Sequence, residues 1–121
     1  MARVLVVDDA SFMRQMIREI VEAEGHEVVG EASDGDEAVE AFGRLQPDVV
    51  TMDIVMPRRS GIDAVKGILE IEPSAKVVMC SALGQEPLVH EALTAGALDF
   101  IVKPFKPEAV LGTLAKVIEK E

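Results

Sequence analysis

Five polar residues in this 121-residue sequence are of types that could together carry out metal-assisted chemistry. Asp8 and Asp9 follow the apolar run VLVV, Asp53 lies in TMDIVMP, Ser81 follows VVMC, and Lys103 follows FIV. Three carboxylates brought together repel one another unless a hard divalent cation such as Mg²⁺ joins them. A lysine and a hydroxyl beside that cation would suit a phosphoryl group, and a free carboxylate could act as its nucleophile.

Each of these residues also has a purely structural interpretation. Asp8 and Asp9 could precede a helix, where negative charge is favoured. Ser81 alone fits a turn or a helix cap, and Lys103 alone fits a solvated surface. Asp53 is the hardest to explain in this way, because aspartate is disfavoured in strands and costly to bury. The chemical interpretation therefore depends on the five side chains meeting at one place.

The rest of the sequence predicts how they would meet. Short apolar runs alternate with longer amphipathic ones. Strands are predicted at 4–7, 27–32, 49–52, 77–80 and 98–102, the second of them short, polar and suited to a sheet edge. Helices are predicted at 11–24, within 33–47, after a capping box at 60–63, at 86–95, and from 107 to the C-terminus. Strict alternation predicts a parallel sheet with helices on both faces, and ligands of such sheets bind outside the carboxyl ends of the strands.

Composition argues against several classes of protein. The net charge of −10 argues against nucleic-acid binding, which needs a basic surface. The apolar runs are too short to span a membrane, and Asp8 and Asp9 interrupt any signal-peptide pattern. A hydrophobic content of 49% predicts a folded soluble protein, and the length suits a single domain over 1–121. The lone Cys80 fits a reducing cytosol, so we expect a cytoplasmic protein.

The chain resembles the response-regulator receiver domains, most closely the single-domain chemotaxis regulators of the CheY kind. The similarity lies in VVDDASFMRQMI, TMDIVMP, SGIDAV, CSALGQE and AGALDFIVKPF, which follow one another over nearly the whole chain. It implies an α/β fold of the flavodoxin-like, doubly wound type, with a (βα)5 five-stranded parallel sheet. The strand order 2-1-3-4-5 is also taken from the resemblance, since that order is already known for this family.

The resemblance implies a role for each polar residue. Asp53 would be the phospho-acceptor. Asp8, Asp9 and Asp53 would bind Mg²⁺, with the backbone carbonyl of Val55 as a further ligand. Lys103 would pair with the phosphoryl oxygens.

It also implies roles for neighbouring groups. Ser81 would move to hydrogen-bond the phosphoryl group, and the backbone N–H groups of Val55 and Ala82 would complete the cradle. Phe100 matches the position of a switch aromatic that is often tyrosine, so its rotation here would depend on packing alone. The Lys103–Pro104 bond lies at a position that is usually cis in this family.

Two apolar residues stand where receivers control the access of attacking water. Val55 and Leu83 lie two residues after Asp53 and Ser81 respectively. Neither side chain can orient a water molecule by hydrogen bonding, so we expect slow spontaneous loss of the phosphoryl group.

The resemblance implies a phosphorylation-activated switch of a two-component system rather than an enzyme with an external substrate. Asp53 would take a phosphoryl group from a chemotaxis histidine kinase, and the receiver would catalyse its own phosphorylation and dephosphorylation. The output would be binding at the face formed by the fourth helix, fifth strand and fifth helix. Expected partners are a flagellar motor switch protein or another output protein, with a phosphatase as a further partner.

Three alternatives stay open. The chain could be a phosphorelay intermediate within the same family. It could be a metal-dependent phosphatase with an aspartyl-phosphate intermediate, although Val55 stands where such enzymes carry a second acid. It could be a flavin- or nucleotide-binding module, although the chain contains neither GxGxxG nor GxxxxGK[ST].

Overall fold

A computed structural model describes residues 1–120 as five strands and five helices in strict alternation. The strands are β1 (Arg3–Val7), β2 (Glu27–Ala32), β3 (Val49–Asp53), β4 (Val77–Ser81) and β5 (Asp99–Val102). The helices are α1 (Ser11–Ala23), α2 (Gly35–Leu45), α3 (Gly61–Ile71), α4 (Glu86–Ala95) and α5 (Pro107–Ile118). All strand pairs are parallel, and their order is β2-β1-β3-β4-β5. This confirms the predicted doubly wound α/β fold and its strand order.

Alternating residues of the central strands build two separate cores, one on each face of the sheet. Leu5 and Val7 of β1 pack with α2, α3 and α4, whereas Val4 and Val6 pack with α1 and α5. Every residue of β3 and β4 is buried, as expected for strands covered on both faces. The central strands are thus packed on both faces, which leaves only the ends of the sheet open to a ligand.

The strand β2 lies at the edge of the sheet, as its polar sequence predicts. Only Ala32 of its six residues is buried, and its pairing with β1 shifts register between Val4 and Leu5. The other edge is β5, the shortest strand.

Helix ends follow the predicted signals closely. The Ser60 hydroxyl accepts a hydrogen bond of 3.2 Å from the N–H of Asp63, which is the forward half of the predicted capping box. The helix α4 has the predicted bounds, and Gly96 ends it with φ of +122°, a conformation that favours glycine. The helix α5 ends at Ile118, before the predicted end at the C-terminus, and residue 121 lies outside the described residues.

Within residues 1–120, none of the helices combines the length and apolar character needed to cross a membrane.

Candidate functional site

The predicted polar residues meet at the carboxyl edge of the sheet. Asp8 follows β1, Asp53 ends β3, and Lys103 follows β5. Lys103 Nζ lies 3.1 Å from Asp8 Oδ2 and 3.2 Å from Asp53 Oδ1, so one ammonium group bridges two carboxylates from different strands. Carboxylate oxygens of Asp8, Asp9 and Asp53 lie within 4.8 Å of one another. Fold topology therefore brings together residues that are far apart in the sequence.

Asp8 is fixed by contacts from three elements. Its N–H donates to the Ala32 carbonyl of β2 at 3.1 Å, and its Oδ1 accepts from the Ala10 N–H at 2.9 Å. Arg14 of α1 donates from Nη1 to the Asp8 carbonyl at 2.6 Å, and its Nε is 2.8 Å from Glu31 Oε1. Asp8 is buried, whereas its neighbour Asp9 is exposed at the rim. The pair thus offers one fixed carboxylate and one accessible carboxylate.

Asp53 is held by the loop that follows it. The N–H of Ile54 donates to Asp53 Oδ1 at 3.0 Å, and the N–H of Gly61 donates to the Ile54 carbonyl at 2.8 Å. A Cβ at residue 61 would collide with the carbonyl oxygen of Asp53, so only glycine allows this close approach. The sequence SGIDAV signals the helix start, but it does not by itself reveal this contact.

Lys103 reaches the pocket because its backbone is also fixed. Its N–H donates to the Ser81 carbonyl at 2.7 Å, which ties the end of β5 to the end of β4. The following Lys103–Pro104 peptide bond is cis, as the resemblance implies.

The electrostatics of the pocket are those of crowded, buried carboxylates. Burial, and after it the nearby charge of Asp8, raise the pKa of the Asp53 carboxyl from its usual 3.8 to about 6, although Lys103 opposes the rise. Burial also disfavours the charged form of Lys103, but Asp53 and Asp8 more than offset this, and its pKa lies above the usual value. The carboxylates thus carry more negative charge than Lys103 compensates.

This donor set fits Mg²⁺. Hard divalent cations prefer oxygen ligands, and Mg²⁺ is commonly bound by one or two carboxylates together with waters. Asp8, Asp9 and Asp53 supply the carboxylates, and the unbalanced negative charge gives a reason for a cation to bind there. A bound cation would also offset the repulsion between Asp8 and Asp53, which adds to the effect of burial on the pKa of Asp53.

Ser81 and Ala82 lie beside Asp53 at the end of β4. Asp53 pairs with Cys80 in the parallel ladder, so the two following residues stand at the edge of the same pocket. Ser81 is buried, and the N–H of Ala82 donates to Gln85 Oε1 at 2.7 Å. The Gln85 side chain has no role that follows from the sequence, and nothing in CSALGQE indicates that it folds back.

Phe100, Val55 and Leu83, to which the resemblance gives roles in switching and in water access, lie at the surface. Phe100 is 40% exposed and lines a cavity of about 260 Å³ that also reaches Ser81. Val55 and Leu83 are 56% and 82% exposed, and they follow the strand ends that carry Asp53 and Ser81 by two residues. Neither apolar side chain can offer the site a hydrogen-bonding group.

A larger cavity of about 600 Å³ lies at the opposite edge of the sheet. It is bordered by Asp48 and Lys76, next to the amino ends of β3 and β4, and by none of the five polar residues. Cys80 is fully enclosed in the second core, and burial raises the pKa of its thiol to about 12. Chemistry rather than cavity size therefore identifies the carboxyl edge as the functional site.

Comparison with known proteins agrees with this geometry. Residues 4–115 match the family model of the response regulator receiver domain. The chemotaxis protein CheY of Thermotoga maritima is 57% identical over 115 residues, which cover 95% of this chain and 96% of that protein. The protein CcdB of Bacillus subtilis is 52% identical, covering 98% of each chain.

A solved structure gives the same result. The crystal structure of the CheX-CheY-BeF3-Mg+2 complex from Borrelia burgdorferi contains a chain that is 40% identical, with a TM-score of 0.92. The match covers 98% of this chain and 90% of that one. The polar edge, the fold and these similarities together show that the chain belongs to the family of response-regulator receiver domains and is of the CheY type.

Proposed function

We propose that the chain is a phosphorylation-activated switch in which Asp53 accepts a phosphoryl group from a histidine kinase. One observation carries this proposal: the Asp53 carboxylate ends a buried central strand beside two further carboxylates and the Lys103 ammonium. A carboxylate in this setting is both a usable nucleophile and part of a site that attracts a cation. The kinase would be of the chemotaxis type, in keeping with the names of the relatives.

The transfer follows from the groups around Asp53. Oδ1 is held by the Ile54 N–H and by Lys103, so we assign the attack on phosphorus to Oδ2. The new P–O bond forms as the P–N bond of the phosphohistidine breaks, and the imidazole leaves. Lys103 is placed to pair with the phosphoryl oxygens. Mg²⁺ bound by the three aspartates and the Val55 carbonyl would supply positive charge, which offsets the negative charge of the phosphoryl group.

The receiver would promote its own phosphorylation and dephosphorylation, with no external substrate other than the phosphoryl donor and water. Val55 stands two residues after Asp53, where an aspartyl-phosphate phosphatase would carry its second acid, and this argues against a general phosphatase. The Borrelia complex contains BeF3, which resembles a phosphoryl group, together with Mg. We therefore propose that the pocket of this chain takes the same two groups.

Phosphorylation would be read out on the side of the molecule formed by α4, β5 and α5. The new dianion would attract the Ser81 hydroxyl, and the cavity that joins Ser81 to Phe100 would let the exposed ring move inward. Binding of the phosphoryl group then biases an existing equilibrium between two states of this face. We propose a flagellar motor switch protein or another output protein as the partner, and a phosphatase as a further one.

The test uses a small phosphoryl donor and intact mass. Wild-type protein incubated with Mg²⁺ and acetyl phosphate should gain one phosphate, and the Asp53→Ala variant should gain none. An adduct on the variant, or none on the wild type, would contradict the proposal. A pull-down with phosphorylated and unphosphorylated protein then tests the partners, which should differ between the two forms.

A further inference from the structure

The segment between β4 and α4 is closed by two reciprocal hydrogen bonds. The N–H of Ala82 donates to the side-chain Oε1 of Gln85 at 2.7 Å, and the N–H of Gln85 donates to the carbonyl of Ala82 at 3.3 Å. The 82–85 segment is thus folded on itself at the edge of the pocket. The first of these bonds is short, so it is well formed.

The orientation of Gln85 is specific. This residue is the N-cap of α4, yet its side chain does not cap the helix. Instead the carboxamide turns back toward β4, and Glu86 accepts the neighbouring Gly84 N–H at 3.0 Å. The carboxamide therefore occupies the acceptor position at Ala82 rather than the position usual for an N-cap side chain.

We propose that the Gln85 carboxamide is a built-in competitor of the phosphoryl group, holding the Ala82 N–H in the unphosphorylated protein and giving it up on phosphorylation. This rests on the proposed function, in which the Ala82 N–H is a phosphoryl ligand. The N–H points toward one principal acceptor at a time, so a phosphoryl oxygen must displace Oε1. Gln85 is then a positioning residue that tunes how readily the site fills.

The displacement also reaches α4. The Gln85 carbonyl accepts from the Val89 N–H at 2.9 Å, so its backbone belongs to the first turn of the helix. Releasing the side chain removes a tie between the end of β4 and the start of α4. The same event that completes the phosphoryl cradle thereby loosens the amino end of this helix.

The test compares two substitutions that should change the affinity for a phosphoryl analogue in opposite directions. Gln85→Leu has similar size and no acceptor, whereas Gln85→Glu keeps an acceptor and adds a charge that repels the phosphoryl group. A competing neutral hydrogen bond of ordinary net strength lowers affinity about two- to tenfold. We therefore expect Gln85→Leu to bind beryllium fluoride with Mg²⁺ about two- to tenfold more tightly, and Gln85→Glu to bind it more weakly. Gln15→Leu on the exposed face of α1 is the matched control and should be unchanged.

A second measurement needs no ligand. The amide proton of Ala82 should shift upfield in Gln85→Leu as its acceptor is lost, while that of Gly84 keeps its resonance. The inference would be overturned if Gln85→Leu bound beryllium fluoride no more tightly than the wild type, or if its Ala82 amide resonance did not move. In either case the proposed function would stand, as long as the wild-type protein binds beryllium fluoride. A wild-type protein that fails to bind beryllium fluoride would overturn the proposed function itself.

Discussion

Replacing Asp53 with asparagine should stabilise the metal-free protein at neutral pH. The carboxylate is buried, and the nearby charge of Asp8 adds to the cost of ionising it. Asparagine has the same shape, and its amide oxygen can keep the hydrogen bond from the Ile54 N–H. The substitution removes the charge and gives up the ion pair with Lys103, whose opposing effect is already included in the pKa of Asp53.

The magnitude follows from the shift in pKa. Each pKa unit corresponds to about 1.36 kcal/mol. A rise from 3.8 to about 6 therefore destabilises the folded wild-type protein by about 3 kcal/mol at pH values above the pKa of Asp53 in the folded state. Water at the open rim screens part of this, so we expect the variant to gain about 1–3 kcal/mol.

The pH dependence has a definite sign. Since the pKa is higher in the folded than in the unfolded state, the native protein binds more protons between the two values, and stability falls as pH rises from about 4 to about 6. The advantage of the variant should therefore be full at about pH 7.5 and vanish near pH 4.

Urea denaturation in a chelator, at several pH values, measures this directly. Asp36→Asn, on the exposed first turn of α2, is the control and should not stabilise the protein, because it loses an ion pair with Arg59 and a negative charge that is favoured at the start of a helix. Saturating Mg²⁺ should narrow the difference in unfolding free energy between the Asp53→Asn variant and the wild type, because it stabilises the wild type by mass action. An asparagine variant that is no more stable than the wild type at neutral pH, or a gain independent of pH, would refute the reasoning.

Three further predictions concern single residues. Val55→Asn should speed loss of the phosphoryl group by orienting water, as measured by decay of the phosphorylated protein; an unchanged rate would rule out this role. Gly61→Ala should destabilise the fold by more than about 2 kcal/mol, because the added Cβ collides with the Asp53 carbonyl. If the variant unfolded at the same urea concentration as the wild type, the close contact would be unimportant. Thr51→Val should raise the free energy of unfolding by about 1–2 kcal/mol, since the buried Thr51 hydroxyl has no hydrogen-bond partner among the described residues. A variant less stable than the wild type in urea denaturation would argue that the hydroxyl is hydrogen-bonded.

The sequence predicted the fold and the main members of the site because both depend on simple patterns. Alternating apolar and amphipathic runs specify the layers, and parallel strands carry Asp8, Asp53 and Lys103 to one edge. The strand order came from the resemblance, since hydrophobic pattern alone does not order parallel strands. Strands β3 and β4 each run one residue further than predicted, because the ladder continues to Asp53 and Ser81.

Contacts between side chains and distant backbone could not be predicted in this way. The bond from Arg14 to the Asp8 carbonyl depends on how α1 packs across the end of β1. The return of the Gln85 carboxamide to Ala82 depends on the local turn, and the outward position of Phe100 depends on packing around β5. These features arise from tertiary geometry, which residue types and spacing leave open.

Mapping the phosphorylated residue tests the central claim most directly. A phosphorylated chemotaxis histidine kinase would be mixed with the chain and Mg²⁺, and the product would be reduced with borohydride, which converts an aspartyl phosphate to homoserine. Peptide mass spectrometry should then find homoserine in place of Asp53 alone, and none when the metal is chelated. Modification at any other residue, or equal transfer without a divalent cation, would contradict the account.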